Sequence, residues 1–115
     1  MTHDPNCIFC KIVEGKIPSK KVHEDPELLV FHDINPWAPV HVLVIPKEHV
    51  VTHYEVRPEH EPLLGRMLGL APQLMRKLGV VNGFRTLINT GEDGHQEVQH
   101  LHMHVMGGPR PWLKG

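Results

Sequence analysis

The sequence predicts a small α+β domain: an antiparallel sheet of about five short strands, one main helix and a short N-terminal helix. Three stretches carry this. Val40-His41-Val42-Leu43-Val44-Ile45 is β-branched nearly throughout and is stopped by Pro46. His100-Leu101-His102-Met103-His104-Val105-Met106 alternates histidine with apolar residues, the period of an extended chain. Leu63, Leu64, Met67, Leu70, Ala71, Leu74, Met75 and Leu78 recur at three- and four-residue spacing, the period of an amphipathic helix.

Taken in order, Ile8, Phe9, Ile12 and Val13 give apolar surface to a short helix ending by Gly15. Gly15 to Ser19 reads as a turn. Lys21 to Glu24 forms an edge strand, Asp25-Pro26-Glu27 a turn and Leu28 to Asp33 a second strand, together a hairpin. Asn35 to Pro39 is a rigid loop, because Pro36 and Pro39 forbid regular structure. The Val40–Ile45 strand has so few polar side chains that protein should cover both its faces. Lys47 to Val56 reads as loop. The helix follows from about Arg57, with Pro58 and Pro62 at its start, Pro72 inside it, where it should bend the axis, and Gly79 as its stop. Phe84 to Asn89 is a strand. The glycine-bearing loop Thr90 to Gln96 joins it to the histidine strand, here taken as Val98 to Met106, with antiparallel pairing across the loop. No internal repeat or domain boundary breaks the chain, so residues 1–115 form one domain.

Composition narrows the partners. A 115-residue chain with net charge −1 gives no electrostatic case for nucleic acid or a membrane surface. No apolar run reaches the roughly 20 residues of a membrane span, and the N-terminus lacks a signal-peptide pattern. A cytoplasmic protein is expected. Cys7 and Cys10 are the two cysteines, spaced for metal or redox chemistry; free thiols or a labile disulfide are the alternative.

The histidine row is where chemistry is expected. On a strand, His100, His102 and His104 share one face, with Leu101, Met103 and Val105 buried on the other. Such a row suits nucleophilic and proton-transfer chemistry near neutral pH. It also suits a three-histidine metal site, or a merely solvated strand face. His41, alone among apolar neighbours, is either a satisfied core histidine or a part of the site.

The row has the form His-x-His-x-His-x with x apolar, and it resembles the signature of the histidine-triad nucleotide hydrolases and transferases. Further blocks carry the resemblance from Ile8 to Gly108. They are Ile8-Phe9-x-Lys11-Ile12, Lys16-Ile17-Pro18, Phe31-His32-Asp33-Ile34-x-Pro36-x-Ala38-Pro39-x-His41, Val44-Ile45-Pro46, Leu64-Gly65-Arg66-Met67, Gln96-Glu97-Val98 and Gly107-Gly108. The pattern is most similar to the purine nucleoside phosphoramidase branch. The resemblance implies that fold, a homodimer and a purine nucleotide of the AMP type as ligand. It makes His102 the nucleophile at the α-phosphorus, forming a covalent nucleotidyl-histidine that water cleaves. His104 would donate to the phosphate or leaving group, and His41 and His100 would complete the catalytic histidines. Asn89 would hold the phosphate or the leaving group, and Asp33 the ribose hydroxyls. Backbone N–H groups around Gln96, Glu97 and Val98 would meet the phosphate without a lysine or arginine. Ile8, Phe9, Ile12, Ile17, Phe31, Ile34 and Leu43 would form the base slot, although each also suits ordinary core packing.

Relatives with an N-terminal cysteine pair imply a structural zinc site as well, made of Cys7, Cys10, His49 and His100. No cofactor is expected in the chemistry itself. The sequence departs from the branch at His95, where glycine is usual, at Gln99 in place of tyrosine, at Glu97 in place of serine, and in the tail from Pro109. Other readings stay open. They are a dinucleoside polyphosphate hydrolase or nucleotidyl transferase, a nucleotide-binding scaffold with vestigial activity, and zinc storage or sensing by a histidine-rich surface, against which His3, His23, His53 and His60 lie apart in sequence as solvated residues.

Overall fold

The computed structural model describes residues 4–113. Its elements follow the expected order: α1 (Ile8–Val13), β1 (Lys21–Glu24), β2 (Leu28–His32), β3 (Val40–Pro46), α2 (Glu61–Lys77), β4 (Phe84–Leu87) and β5 (Met103–Gly107). The strands form one antiparallel sheet in the order β1-β2-β3-β5-β4. β3 lies at its centre, with β2 and β5 on either side.

Alternation along the strands divides the core in two. Leu28, Val30, Val42, Val44, Met103 and Val105 face α2, packing on Met67, Ala71, Leu74 and Met75. Leu29, Phe31, Leu43 and Ile45 point the other way, onto Cys7, Phe9, Cys10 and Ile12 around α1. Asp25 ties the helix to the first hairpin. Its Oδ1 accepts from the N–H groups of Glu27 and Leu28, as a turn aspartate does. Arg66 of α2 donates to both Asp25 and Glu27. The Arg66 guanidinium holds the Asp25 carboxyl well below the usual carboxylate range.

Several boundaries differ from expectation. The strand of the histidine row begins at Met103, not Val98, and is buried on both faces rather than half-buried. Residues 96–102 instead cross the end of the sheet, where the Leu101 N–H donates to the Val50 carbonyl (2.6 Å). A strand ladder gives way there to contacts that only the folded chain supplies. β4 stops at Leu87, short of Asn89. Pro46 lies inside β3 as its last residue, where its missing N–H costs little. The segment before α2 holds two short 3-10 turns, His53–Glu55 and Pro58–His60. α2 runs on through Pro72, and Gly79 (φ +84°) follows its end.

The packing of α2 sets a stability contrast. Met75→Ala, at a position 1% exposed in the α2 core, should cost about 2–5 kcal/mol. Leu68→Ala, on the outer face and 56% exposed, should stay within about 0.5 kcal/mol. Denaturant midpoints of the two variants test this.

Candidate functional site

The candidate site lies on the face of the sheet turned to α1. In register, Leu43 lies opposite His104 and His41 opposite Met106. Paired residues point to the same side, so His41, His102 and His104 share a face with Phe31 and Leu43. The Asp33 N–H donates to the His41 carbonyl (3.0 Å), carrying the β2–β3 pairing one step further. This brings the Asp33 carboxylate to the same face, with Oδ2 at 3.5 Å from His41 Nε2.

Hydrogen bonds assign a tautomer to each imidazole, because carbonyl oxygens only accept. His102 Nδ1 lies 2.7 Å from the His100 carbonyl, so Nδ1 carries the proton. His102 Nε2 keeps its lone pair and has no partner among the described residues. The Trp37 N–H donates to His41 Nδ1 (3.0 Å), which places the His41 proton on Nε2. That proton is donated to His104 Nδ1 at 2.8 Å. The neutral His104 ring must then carry its proton on Nε2. The site thus holds a bare nitrogen on His102 beside an N–H donor on His104, with ring centres 5.1 Å apart.

Burial keeps these rings uncharged. Desolvation lowers the pKa of His41 and of His102, the latter opposed in part by its bond to the His100 carbonyl. His104 falls to about 4, through burial first and then the neighbouring His102 and His41 rings. A neutral imidazole with one free nitrogen is nucleophilic, whereas a protonated one is not.

The residues predicted for the base slot divide into two groups. Phe9, Ile12, Phe31 and Leu43 are buried in one cluster, with Ile17 and Val98 packed at its edge. The Phe9 ring meets the His102 and Phe31 rings edge-on, at 5.1 and 5.6 Å. Ile8 and Ile34 lie outside that cluster, 47% and 91% exposed. Asn89 is half-buried and lies two residues beyond Leu87, the β4 residue paired with His104.

Gln96 is corrected. Its side chain accepts from the Gly91 N–H and donates to the Val51 and Val98 carbonyls, and its own N–H donates to Gly91. It builds the loop and has no group left for a phosphate. The N–H groups of Glu97 and Val98 have no partner among the described residues. His95 explains why glycine is usual at its position: its φ is +61°, a left-handed conformation that costs a side chain about 1–2 kcal/mol. At the neighbouring Gly94, a Cβ would strike the Thr90 backbone.

The catalytic role expected of the His100 ring is also corrected. Its Nε2–H donates to the Pro46 carbonyl (2.7 Å), and Nδ1 faces a different cluster. Cys7 Sγ is 3.4 Å from that Nδ1, Cys10 Sγ 3.6 Å and His49 Nδ1 3.2 Å. Cys10 Sγ is 3.2 Å from His49 Nδ1. A tetrahedral ion at about 2.3 Å from sulfur and about 2.0–2.1 Å from nitrogen has donor–donor edges of roughly 3.3–3.8 Å. The four donors of Cys7, Cys10, His49 and His100 match that figure closely and could hold a metal ion. The Pro46 carbonyl supplies the outer hydrogen bond that orients a ligating histidine. Burial pushes the Cys10 thiol up to about 11, so a cation entering here displaces protons. His100 therefore serves the site through its carbonyl rather than its ring.

Trp37 was not singled out from the sequence, where it reads only as part of a proline-stiffened loop. Its ring lies nearly parallel to His104 (20°, centres 6.0 Å apart) and edge-on to His41. Its only sequence signal is an aromatic residue between two prolines just ahead of a histidine strand. The remaining histidines do not gather. His23 pairs with Asp25, His60 with Glu48, and His53 lies apart in a 3-10 turn; His3 lies outside the described residues.

Comparison with known proteins finds similar chains along nearly the whole length. A family model described as "Scavenger mRNA decapping enzyme C-term binding" matches residues 6–113. Protein HitA of Neisseria gonorrhoeae is 53% identical over 104 residues, covering 90% of this chain and 97% of that protein. The purine nucleoside phosphoramidase of Escherichia coli is 43% identical over 102 residues, covering 88% and 86%. Among solved structures, a histidine triad protein from Clostridium difficile superposes with a TM-score of 0.91 at 39% identity, covering 96% of each chain.

The lowered His104 pKa has a consequence for stability. Between about 6.5 and about 4 the unfolded chain binds a proton at His104 that the folded chain refuses. Stability must therefore fall as pH drops through that window and be fully present above it. His104→Gln should flatten the curve there. Urea titrations of both proteins from pH 7 to pH 4 test this, and parallel curves would refute the assignment.

Proposed function

The chain belongs to the histidine-triad family, and from that premise we propose that it hydrolyses nucleoside 5′-phosphoramidates of the adenosine type. The observation that carries this reading is the pair of opposed tautomers: a bare Nε2 on His102 beside an N–H donor on His104. His102 Nε2 attacks the α-phosphorus and the P–N bond breaks. The departing nitrogen accepts a hydrogen bond from His104 Nε2–H and leaves as the amine, with a proton taken from solvent. Water then attacks phosphorus, the bond to His102 breaks, and the nucleoside monophosphate departs. The name of the Escherichia coli relative supports this bond class. Dinucleoside polyphosphates are the runner-up substrate, since the same nitrogen would attack the same phosphorus.

In this reading the base lies against Phe9, Phe31, Leu43, Ile12 and Ile17, with Ile8 and Ile34 at the open rim. Asp33 accepts from the ribose hydroxyls. Asn89 and the N–H groups of Glu97 and Val98 hold the phosphate. Zinc at Cys7, Cys10, His49 and His100 is structural, joining the N-terminal segment to the segment that carries the nucleophile; it takes no part in the reaction. We propose a homodimer. β4 is an edge strand whose residues are mostly exposed, and Val81 and Phe84 leave apolar surface there uncovered. No helix among the described residues is long and apolar enough to cross a membrane, and a cytoplasmic location is proposed.

Two measurements check these statements. His102→Ala should lose at least about a thousandfold in turnover of an adenosine phosphoramidate, and only the parent protein should yield a trappable nucleotidyl adduct. Near-normal turnover by the variant rejects the mechanism. Metal analysis of untagged protein should find about one zinc per chain, lost in Cys7→Ser. Metal-free parent protein rejects the zinc site.

A further inference from the structure

We propose that Trp37 is the positioning residue that keeps the His41–His104 pair in its productive tautomer, and thereby sets how well the site expels a basic leaving group. The proposal rests on the phosphoramidate reading for its kinetic part and on geometry alone for its structural part.

Two groups set the tautomer of His41: the Trp37 N–H at Nδ1 and, more distantly, the Asp33 carboxylate, whose Oδ2 is 3.5 Å from Nε2. Its Nδ1 accepts from the Trp37 N–H, and this forces the His41 proton onto Nε2, facing His104 Nδ1. Were the Trp37 N–H to move away, His41 could carry its proton on Nδ1 instead. Its Nε2 would then accept from His104 Nδ1–H, and His104 Nε2 would present a lone pair in place of a donor. The leaving atom would meet a second acceptor where it needs a hydrogen-bond donor. The 3.0 Å bond from the Trp37 N–H is the shorter of the two contacts that favour the first arrangement.

Any residue except proline has that N–H. What holds it in place is the Trp37 side chain and the restraints on its peptide groups. The indole lies nearly parallel to the His104 ring and edge-on to the His41 ring, so the loop is seated on the two imidazoles that it polarises. The Trp37 carbonyl accepts from the Leu113 N–H (2.7 Å), which ties the loop to the C-terminal tail. On the other side, Asp33 Oδ1 accepts from the Asn35 N–H (2.8 Å). Pro36 and Pro39 stiffen the segment between. Loss of the indole removes the contact that sets the loop against His104, while the backbone N–H itself survives.

The test uses the full-length protein with Trp37→Ala and Trp37→Phe, and two adenosine 5′-phosphate substrates. One carries an alkylamine, a basic leaving group that depends on the His104 donor; the other carries p-nitrophenolate, which leaves without a proton. Trp37→Ala should lower kcat for the alkylamine about tenfold or more and for p-nitrophenolate by less than about threefold, with KM nearly unchanged. Trp37→Phe, which keeps a flat ring, should recover most of the loss. Nitrogen-15 imidazole spectra should show His41 and His104 each protonated on Nε2 in the parent and Trp37→Phe proteins, and mixed tautomers in Trp37→Ala. An equal loss on both substrates, a change in KM alone, or parent-like tautomers in Trp37→Ala each overturns the proposal. If the parent protein turns over neither substrate, the phosphoramidate reading fails by itself, and the spectra still decide the role of Trp37.

Discussion

The site depends on a hydrogen bond between two residues of the same row. The His100 carbonyl accepts from His102 Nδ1–H, and this leaves His102 Nε2 as the free nitrogen. An isolated neutral imidazole exchanges between tautomers. Here one tautomer is selected by a peptide group that cannot donate. The bond links two tasks: the ring of His100 is held by the Pro46 carbonyl and faces the cysteine cluster, while its backbone oxygen orients the next histidine. Anything that moves residue 100 also loosens residue 102.

The sheet separates support from chemistry. One face is filled by α2 with aliphatic and thioether side chains, a dry layer that fixes the positions of β3 and β5. The other face carries the imidazoles against a smaller layer around α1. That second layer is thin for so short a helix. The cysteine–histidine cluster compensates by joining three distant pieces of chain, with Cys7 and His100 separated by 93 residues and Cys10 and His49 by 39. A cation in that cluster would close both loops at once, and its binding free energy would count toward folding.

The loop ahead of β5 shows how local strain is accepted for placement. His95 adopts a left-handed conformation and Gly94 admits no side chain, yet the turn delivers Gln96 to three backbone partners. Those bonds, with Leu101 on Val50, set where the chain enters β5. The departure of His95 from the glycine usual in similar sequences therefore has a conformational cost but leaves the hydrogen-bond pattern of the loop in place.

The sequence by itself determined the elements and the side of the sheet on which the histidines stand. A period of two cannot place Leu101, Met103 and Val105 inward without grouping His102 and His104 opposite them, and the run from Val40 to Ile45 suits only a covered central strand. The cysteine pair was equally legible as half of a candidate metal site, but its histidine partners came from resemblance, because side chains 39 and 90 residues away leave no local period. Tertiary structure decided the rest. It turned the His100 ring away from the face of His102 and His104, consumed every polar group of Gln96 in the loop, and set the Trp37 ring nearly parallel to His104. It also gave each imidazole its tautomer, because that choice rests on which carbonyl or N–H stands opposite the ring, and such groups are present at almost every residue and marked by none.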